Sequence, residues 1–467
     1  MRLSHDPLKT HASFDDPNLV SRAGLVPVMA LAERCGLADL VREHVKITSQ
    51  AGVNADLKAG CLVAGMAAGA DSIDDMDLLR HGAMTEVFGG IRAPSTLGSF
   101  LRSFRWGNVR QLDAVARLLL AELASAAPLL PGGDVLAFID MDSMQKRVYG
   151  HAKQGAGFGH TKIQGKSLTI RGLNALAAVI STPLAAPVIA ATRLRGGTAN
   201  SARGAASLAA EAIGTARQAG CSGQLVFRID SAYYSAAVLG TIRAGGACFS
   251  VTVRMDPKIR AAIAAIGEDA WTAITYPRAV WDEDQKRLIS DAEVAEVPYT
   301  AFASKKGKAI TARLIVRRVR DLNRKTAEGQ DELFAVWRYH ALFTDSPFET
   351  IQAETHHRDH AIVEQVFADC ADGPLAHLPS GHFPANAAWL ALAAICHNLT
   401  RAAGCLAGAL CAKARGATIR AGLISVAARI ARHGRGHLTM HLPEGWHREQ
   451  EWMSLFEAAC GPPPTAA

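Results

Sequence analysis

Two aspartates, Asp140 and Asp142, stand two residues apart in the run FIDMDS, and a third, Asp230, closes the run QLVFRID. Both runs are short and apolar. The first, DVLAFID, follows Pro131, Gly132 and Gly133, and both read as buried strands. Alternation along a strand puts Asp140 and Asp142 on one face. A carboxylate at the end of a buried strand costs desolvation free energy unless a positive group meets it. Strand ends also face the crevice where α/β proteins bind ligands. Two such acids from neighbouring strands suit a hard, oxygen-seeking cation such as Mg2+. The competing use is structural, because aspartate often caps turns and the helices that follow strands.

Other motifs are poorer in chemistry. HTKIQGKS looks like a phosphate loop, but five residues separate Gly159 from Gly165 where four are required, and no clean strand precedes it. No nucleotide cofactor is expected. His356 and His360 have helical spacing for zinc, yet the general-base Glu of a metalloprotease helix is replaced by His357. Nine cysteines contain no C-x-x-C pair, which argues against a zinc ribbon or disulfide framework.

The elements that must carry the aspartates follow from periodicity. Within residues 1–130, apolar spacing predicts helices over Leu25–Val41, Leu57–Gly69 and Val109–Leu123. A turn enters a helix between Ala93 and Asn108, with Arg102 and Arg105 free to meet DNA or solvent. From residue 131 the order is three strands, a helix, a strand, a helix and a strand, which is an α/β layer architecture. Residues 255–345 read as a β-rich insertion containing Trp271, Trp281 and Trp337, and helix resumes from about His356.

Of 467 residues, 49% are hydrophobic, enough for a packed core, and the net charge is +7. Residues 401–448 alone hold eight Lys or Arg against Glu444. That segment, including Arg429, Arg432 and Arg435, is expected to bind DNA phosphates. The start, MRLSHDPLKTHASFDD, lacks the apolar core of a signal peptide. Without about 18 uninterrupted apolar residues, no membrane span is expected.

FIDMDS, then FRIDSAYYS (Phe227 to Ser235), then the stretch from HHRDHAIVEQ to AICHNL (His356 to Leu399) together resemble the DDE transposases of bacterial insertion sequences. The similarity is greatest to the thirteen-eighty family of insertion sequences, and it includes Gly157 to Gly197. The resemblance implies a ribonuclease H-like mixed sheet flanked by helices, interrupted by the β-rich insertion, with helical N-terminal and C-terminal regions. The expected division is a DNA-binding region 1–130, catalytic core 131–254, insertion 255–345, remainder of the core 346–410, and a basic helical region 411–467.

It also implies catalytic Asp, Asp and Glu in chain order. The second maps to Asp230 and the third to Glu364 in AIVEQ, 134 residues later. The first can fall on Asp140 or Asp142; Asp142 is preferred because Ser143 follows it, with Asp140 then a second carboxylate nearby. Relatives usually carry Arg four residues before the Glu, and this chain has His360 there. On a continuous helix His357, His360 and Glu364 would share a face, and His360 could orient the carboxylate or touch the scissile strand.

The chemistry implied is two Mg2+ ions per active site, with Mn2+ able to substitute, about 4 Å apart across a scissile phosphate. Asp142, Asp230 and Glu364 would be their ligands. Lys162, Lys166 and Arg171 could hold phosphates nearby, or simply line a solvated hairpin edge. The implied partners are the terminal inverted repeats of the element and target DNA, engaged by a homodimer. The implied location is the bacterial cytoplasm, in association with the nucleoid.

Overall fold

Glycine punctuation divides the first predicted helix. α1 (Leu25–Arg34) and α2 (Leu37–His44) meet at Gly36, whose φ of 77° is left-handed, a conformation that a Cβ would strain. β1 (Leu19–Val20) precedes them. α3 (Ala55–Ala68), α4 (Met84–Val87), α5 (Pro94–Arg102) and α6 (Trp106–Ala126) complete the helical N-terminal region. Pro94 opens α5 at a position where its missing N–H costs nothing. The computed structural model describes residues 1–163, 166–274, 281–282, 287–288, 292–320 and 337–461, without the side chains of 162–163, 166–167, 281–282, 287–288 and 320.

The central order is as the periodicity predicts, with one hairpin added. β2 (Leu136–Arg147), β3 (Gly157–Ile163), β4 (Lys166–Thr182) and β5 (Ala185–Gly196) lead to α7 (Ala205–Gln218), β6 (Gln224–Ile229), α8 (Ala236–Ala244) and β7 (Cys248–Thr252). β4 pairs antiparallel with β2, β3 and β5, while β2–β6 and β6–β7 are parallel. Backbones crowd where β3 and β4 meet the end of β5. A Cβ on Gly197 would lie 2.1 Å from the Gly172 carbonyl oxygen and 2.4 Å from that of Gly157, so only glycine fits there.

The β-rich stretch begins with α9 (Pro257–Ala264) and β8 (Thr272–Ile274), followed by β9 (Trp281–Asp282) and β10 (Arg287–Leu288), a separate two-stranded pair. β11 (Ala292–Ala301), β12 (Ile310–Arg320) and β13 (Trp337–Thr344) then return to the main sheet. β13 pairs antiparallel with β7, giving the order β3–β4–β2–β6–β7–β13–β12–β11–β8, with β5 beside β4. The segment read as an insertion therefore extends the central sheet. β12 buries Leu314, Ile315 and Val316 in succession, so both of its faces are covered there, and β13 pairs the edge that β7 would otherwise leave free.

α10 (Thr350–Arg358), α11 (Ile362–Ala371) and α12 (Phe383–Ala407) follow. α12 is apolar on nearly every side, and a helix of that kind belongs inside. By length and a mean hydropathy of 1.3 it could cross a membrane, but 83% of its most apolar window is buried in the protein. Asn398 ties it to β5, accepting from the Ile189 N–H and donating to the Ile189 carbonyl, each at 2.8 Å.

The C-terminal region departs from the expected helix. After α13 (Ala409–Ala412) and α14 (Gly416–Ile419), β14 (Ala428–Arg432) and β15 (Leu438–His441) form a hairpin, and α15 (Glu449–Cys460) follows. β14 pairs with β1, in the order β1–β14–β15. The cause is period two: Ala428 and Ile430 point inward while Arg429 points out, and Gly434 and Gly436 flank the turn.

Candidate active site

A buried cation gives the two aspartates on β2 different surroundings. Arg228 sits in apolar β6, 3% exposed, directly opposite Asp140 in the β2–β6 register. It donates from Nε and Nη2 to the two oxygens of Asp140 at 2.8 and 2.7 Å, and from Nη1 to the His356 carbonyl at 3.0 Å. Its guanidinium also covers the Phe138 ring at 4.1 Å. Asp140 is fully buried. Burial pushes its carboxyl up to about 6, against the opposing pull of Arg228. Asp140, expected as a second carboxylate near the site, pairs with Arg228. The signal for this was present: an arginine inside QLVFRI needs an acid on the neighbouring strand.

Asp142, two residues on, is in no ion pair among the described residues, although the field of the buried Arg195 reaches it. Its Oδ1 accepts the Ser143 backbone N–H, at 2.6 Å. Burial, then the negative fields of Asp230 and Glu364, push it up to about 6, with the Ser143 N–H and His360 opposing. Asp230 ends β6 and is 58% exposed. It precedes a single 3-10 turn but makes no capping hydrogen bond, so capping does not explain it. Glu364 projects into solvent from the first turn of α11, whose Val363, Val366 and Cys370 face the core. Three acids from β2, the end of β6 and α11 thus act on one neighbourhood.

The helix expected to align His357, His360 and Glu364 is broken. A 3-10 turn, Asp359–Ala361, separates α10 from α11. His357 is buried, with Nδ1 2.9 Å from Ser250 Oγ and Nε2 2.9 Å from Thr252 Oγ1. The His360 ring stacks on it at 5.2 Å, with Nδ1 2.8 Å from the His357 carbonyl and Nε2 3.9 Å from Asp230 Oδ1. His356 lies between Phe138 and Phe348, so the spacing of His356 and His360 does not bring them together as a zinc pair. Sequence reasoning also missed Tyr233, fully buried in the field of Asp142 and Asp230. Burial raises its phenol well above the ordinary value, against the pull of Ser143 and of the buried Arg195 beside its hydroxyl.

Burial pushes His357 down to about 3, helped by the positive fields of His360, Arg228 and Arg317. The unfolded chain binds a proton near pH 6.5 that the folded chain refuses until about pH 3, so this residue removes stability as pH falls below 6.5. Each unit costs about 1.4 kcal/mol. Between pH 7 and pH 5, His357→Gln is expected to lose about 2 kcal/mol less stability than the parent in urea unfolding. Equal losses would show that His357 takes up its proton without unfolding.

A divalent cation fits the donor chemistry. Burial, and after it the charges of Asp230 and Glu364, raise Asp142, and hard carboxylate oxygens are what Mg2+ prefers. Among the described residues, however, no three His, Cys, Asp or Glu side chains converge closely enough to grip an ion as they stand.

The DNA-contact candidates separate. Lys162 and Lys166 have side chains outside the described residues. Arg171 is engaged by its own chain, donating to the carbonyls of Gly150 at 2.8 Å and His151 at 3.1 Å. Arg429 pairs with Asp16 at 3.2 Å and Arg432 with Glu86 at 2.5 Å. Arg435 is exposed at the hairpin tip with a left-handed φ of 64°. Much of the remaining basic charge is also structural: Arg401 is buried and donates to the carbonyls of Ala412 and Ala414. Neutralising Arg435 is expected to flatten the salt dependence of DNA binding by about one unit of log–log slope. Neutralising Arg429 and Arg432 should change it less, since each must first leave its carboxylate. The reverse ranking in a salt titration would show that phosphates displace those ion pairs.

Two tryptophans of the β-rich stretch have structural work. Trp271 and Trp337 lie against the Arg318 guanidinium at 4.2 and 4.5 Å, and Arg318 pairs with Glu268 and Glu293. The Trp281 side chain lies outside the described residues.

The mixed α/β sheet carries Asp142 and Asp230 on adjacent strands, with Glu364 on a later helix in the same neighbourhood. The profile of the family described as Transposase DDE domain group 1 matches residues 5–459, and the chain belongs to that family. It is thus a transposase, with DNA as its substrate. A search of curated proteins finds no match.

Proposed function

We propose that the chain cuts DNA at the ends of an insertion sequence and joins those ends to target DNA, using Asp142, Asp230 and Glu364 to hold divalent cations. The observation that carries this reading is the shared field of these three acids, contributed by β2, the end of β6 and α11. The core order β5–β4–β2–β6–β7, with β6 and β7 parallel to β2, supports a ribonuclease H-like core. The motifs quoted above favour the thirteen-eighty family.

When bound, two Mg2+ ions, or Mn2+ in their place, supply activation of the attacking hydroxyl and stabilisation of the leaving 3′ oxygen. The protein's own contribution is placement. Arg228 neutralises Asp140 and ties β2, β6 and the His356 carbonyl together, which fixes the strand carrying Asp142. Val363 and Val366 hold α11 against the core and leave Glu364 facing out. His360, beside Asp230, faces the same opening. One phosphodiester replaces another, so no nucleotide is consumed. The helical region 1–130, with Arg102 and Arg105 exposed around the α5–α6 turn, is assigned to binding the terminal repeats, and a homodimer to pairing two ends.

The test incubates the protein with DNA carrying the element's terminal repeats and Mg2+. Cut ends and joined product are expected, both lost on chelation. Cutting without joining would reduce the chain to a nuclease, and binding without cutting would reduce it to a DNA-binding protein.

A further inference from the structure

We propose that Nε2 of His360 is a nitrogen ligand for a divalent cation held at the carboxylate site, sharing that ion with Asp230. This rests on the assignment of Asp142 and Asp230 as cation ligands.

The hydrogen-bond pattern fixes the tautomer. His360 Nδ1 lies 2.8 Å from the His357 carbonyl oxygen. A carbonyl can only accept, so Nδ1 carries a proton, and Nε2 is the nitrogen whose lone pair becomes available to a cation once its own proton is released. This is the usual arrangement of a metal-binding histidine, whose other nitrogen donates to a backbone carbonyl. Nε2 faces Asp230 Oδ1 at 3.9 Å, too far for a hydrogen bond. Two ligands of one ion, each about 2.1 Å from it, stand roughly 3–4 Å apart. A lone pair facing a carboxylate is repulsive, and a shared cation turns that pair into a chelate.

The ring is also held for this role. It stacks on His357, which Ser250 and Thr252 clamp from both nitrogens. The 3-10 turn Asp359–Ala361 sets His360 off the continuous helix. His357 is engaged at both nitrogens by Ser250 and Thr252, and His356 is packed between Phe138 and Phe348, away from Asp230.

Imidazole nitrogen favours the later divalent metals over Mg2+. In the full-length protein, His360→Gln is expected to weaken Co2+ binding about tenfold while changing Mg2+ binding less than about threefold. Pulsed electron paramagnetic resonance of bound Mn2+ should show nitrogen coupling in the parent, absent from His360→Gln although Mn2+ still binds. His360→Asn serves as the second variant should the first fail to fold. Mn2+ bound by the parent without nitrogen coupling, or coupling that persists in both variants, would overturn the ligand. The carboxylate assignment is tested separately by Asp142→Asn combined with Asp230→Asn. If that double variant binds Mn2+ as the parent does, the site itself is misplaced and the ligand proposal falls with it.

Discussion

Asp230→Asn is expected to abolish DNA cleavage while leaving DNA binding within about twofold. The side chain is 58% exposed at the end of β6, makes no capping bond, and lies 3.9 Å from His360. Its loss therefore leaves no buried group unpaired, and the fold should tolerate the isosteric amide. What changes is charge. Asp230 is a leading source of the field that raises Asp142, so the substitution removes one ligand and relaxes the crowding that makes a cation welcome. Chemistry that depends on a bound cation for both nucleophile and leaving group should then slow by at least about a thousandfold. Nicking of terminal-repeat DNA, alongside a gel-shift titration, measures both quantities. Cutting at the parental rate would remove Asp230 from the site.

Glu364→Gln is expected to be equally inactive, with Asp359→Asn and Asp369→Asn retaining activity within about threefold. The three acids differ in what they face. Asp369 accepts the Gly416 N–H at 3.3 Å and so belongs to the contact with the C-terminal region. Asp359 opens the 3-10 turn and acts on Asp140 and His356, away from Asp142. Glu364 is the acid on this segment whose charge reaches Asp142. The loss again follows from a missing cation ligand, on the order of a thousandfold or more. An active Glu364→Gln beside an inactive Asp359→Asn would move the third carboxylate to the other side of the turn.

The sequence revealed the strands that carry the aspartates because short apolar runs bounded by glycine and proline have few other uses. It left Asp140 and Asp142 undecided, since both share a face. Only the parallel register that sets Arg228 against Asp140 separates them, and register is a long-range property. The turn at Asp359–Ala361 was illegible because HHRDHAIVEQ contains neither proline nor glycine, and tertiary contacts of His357 decide where the helix breaks. The β14–β15 hairpin was misread because alanine and arginine are good helix formers. The contrary signal lay in the alternation of ARIAR and in Gly434 and Gly436. The β-rich stretch was legible as strands, but its pairing partner β7 was not.

The pairing of β1 with β14 bears on how the protein is made. Leu19 and Val20 leave the ribosome early, and their partners Arg429 and Ala428 follow some four hundred residues later. At roughly 5–20 residues per second, β1 waits about 20–80 s for its neighbour. Through that interval the helical N-terminal region lacks both its closing strand and α15, which packs on α1. A copy interrupted before Ala428 never acquires either. A premature stop anywhere upstream thus damages the opposite end of the polypeptide, and a functional molecule requires translation to run through the hairpin.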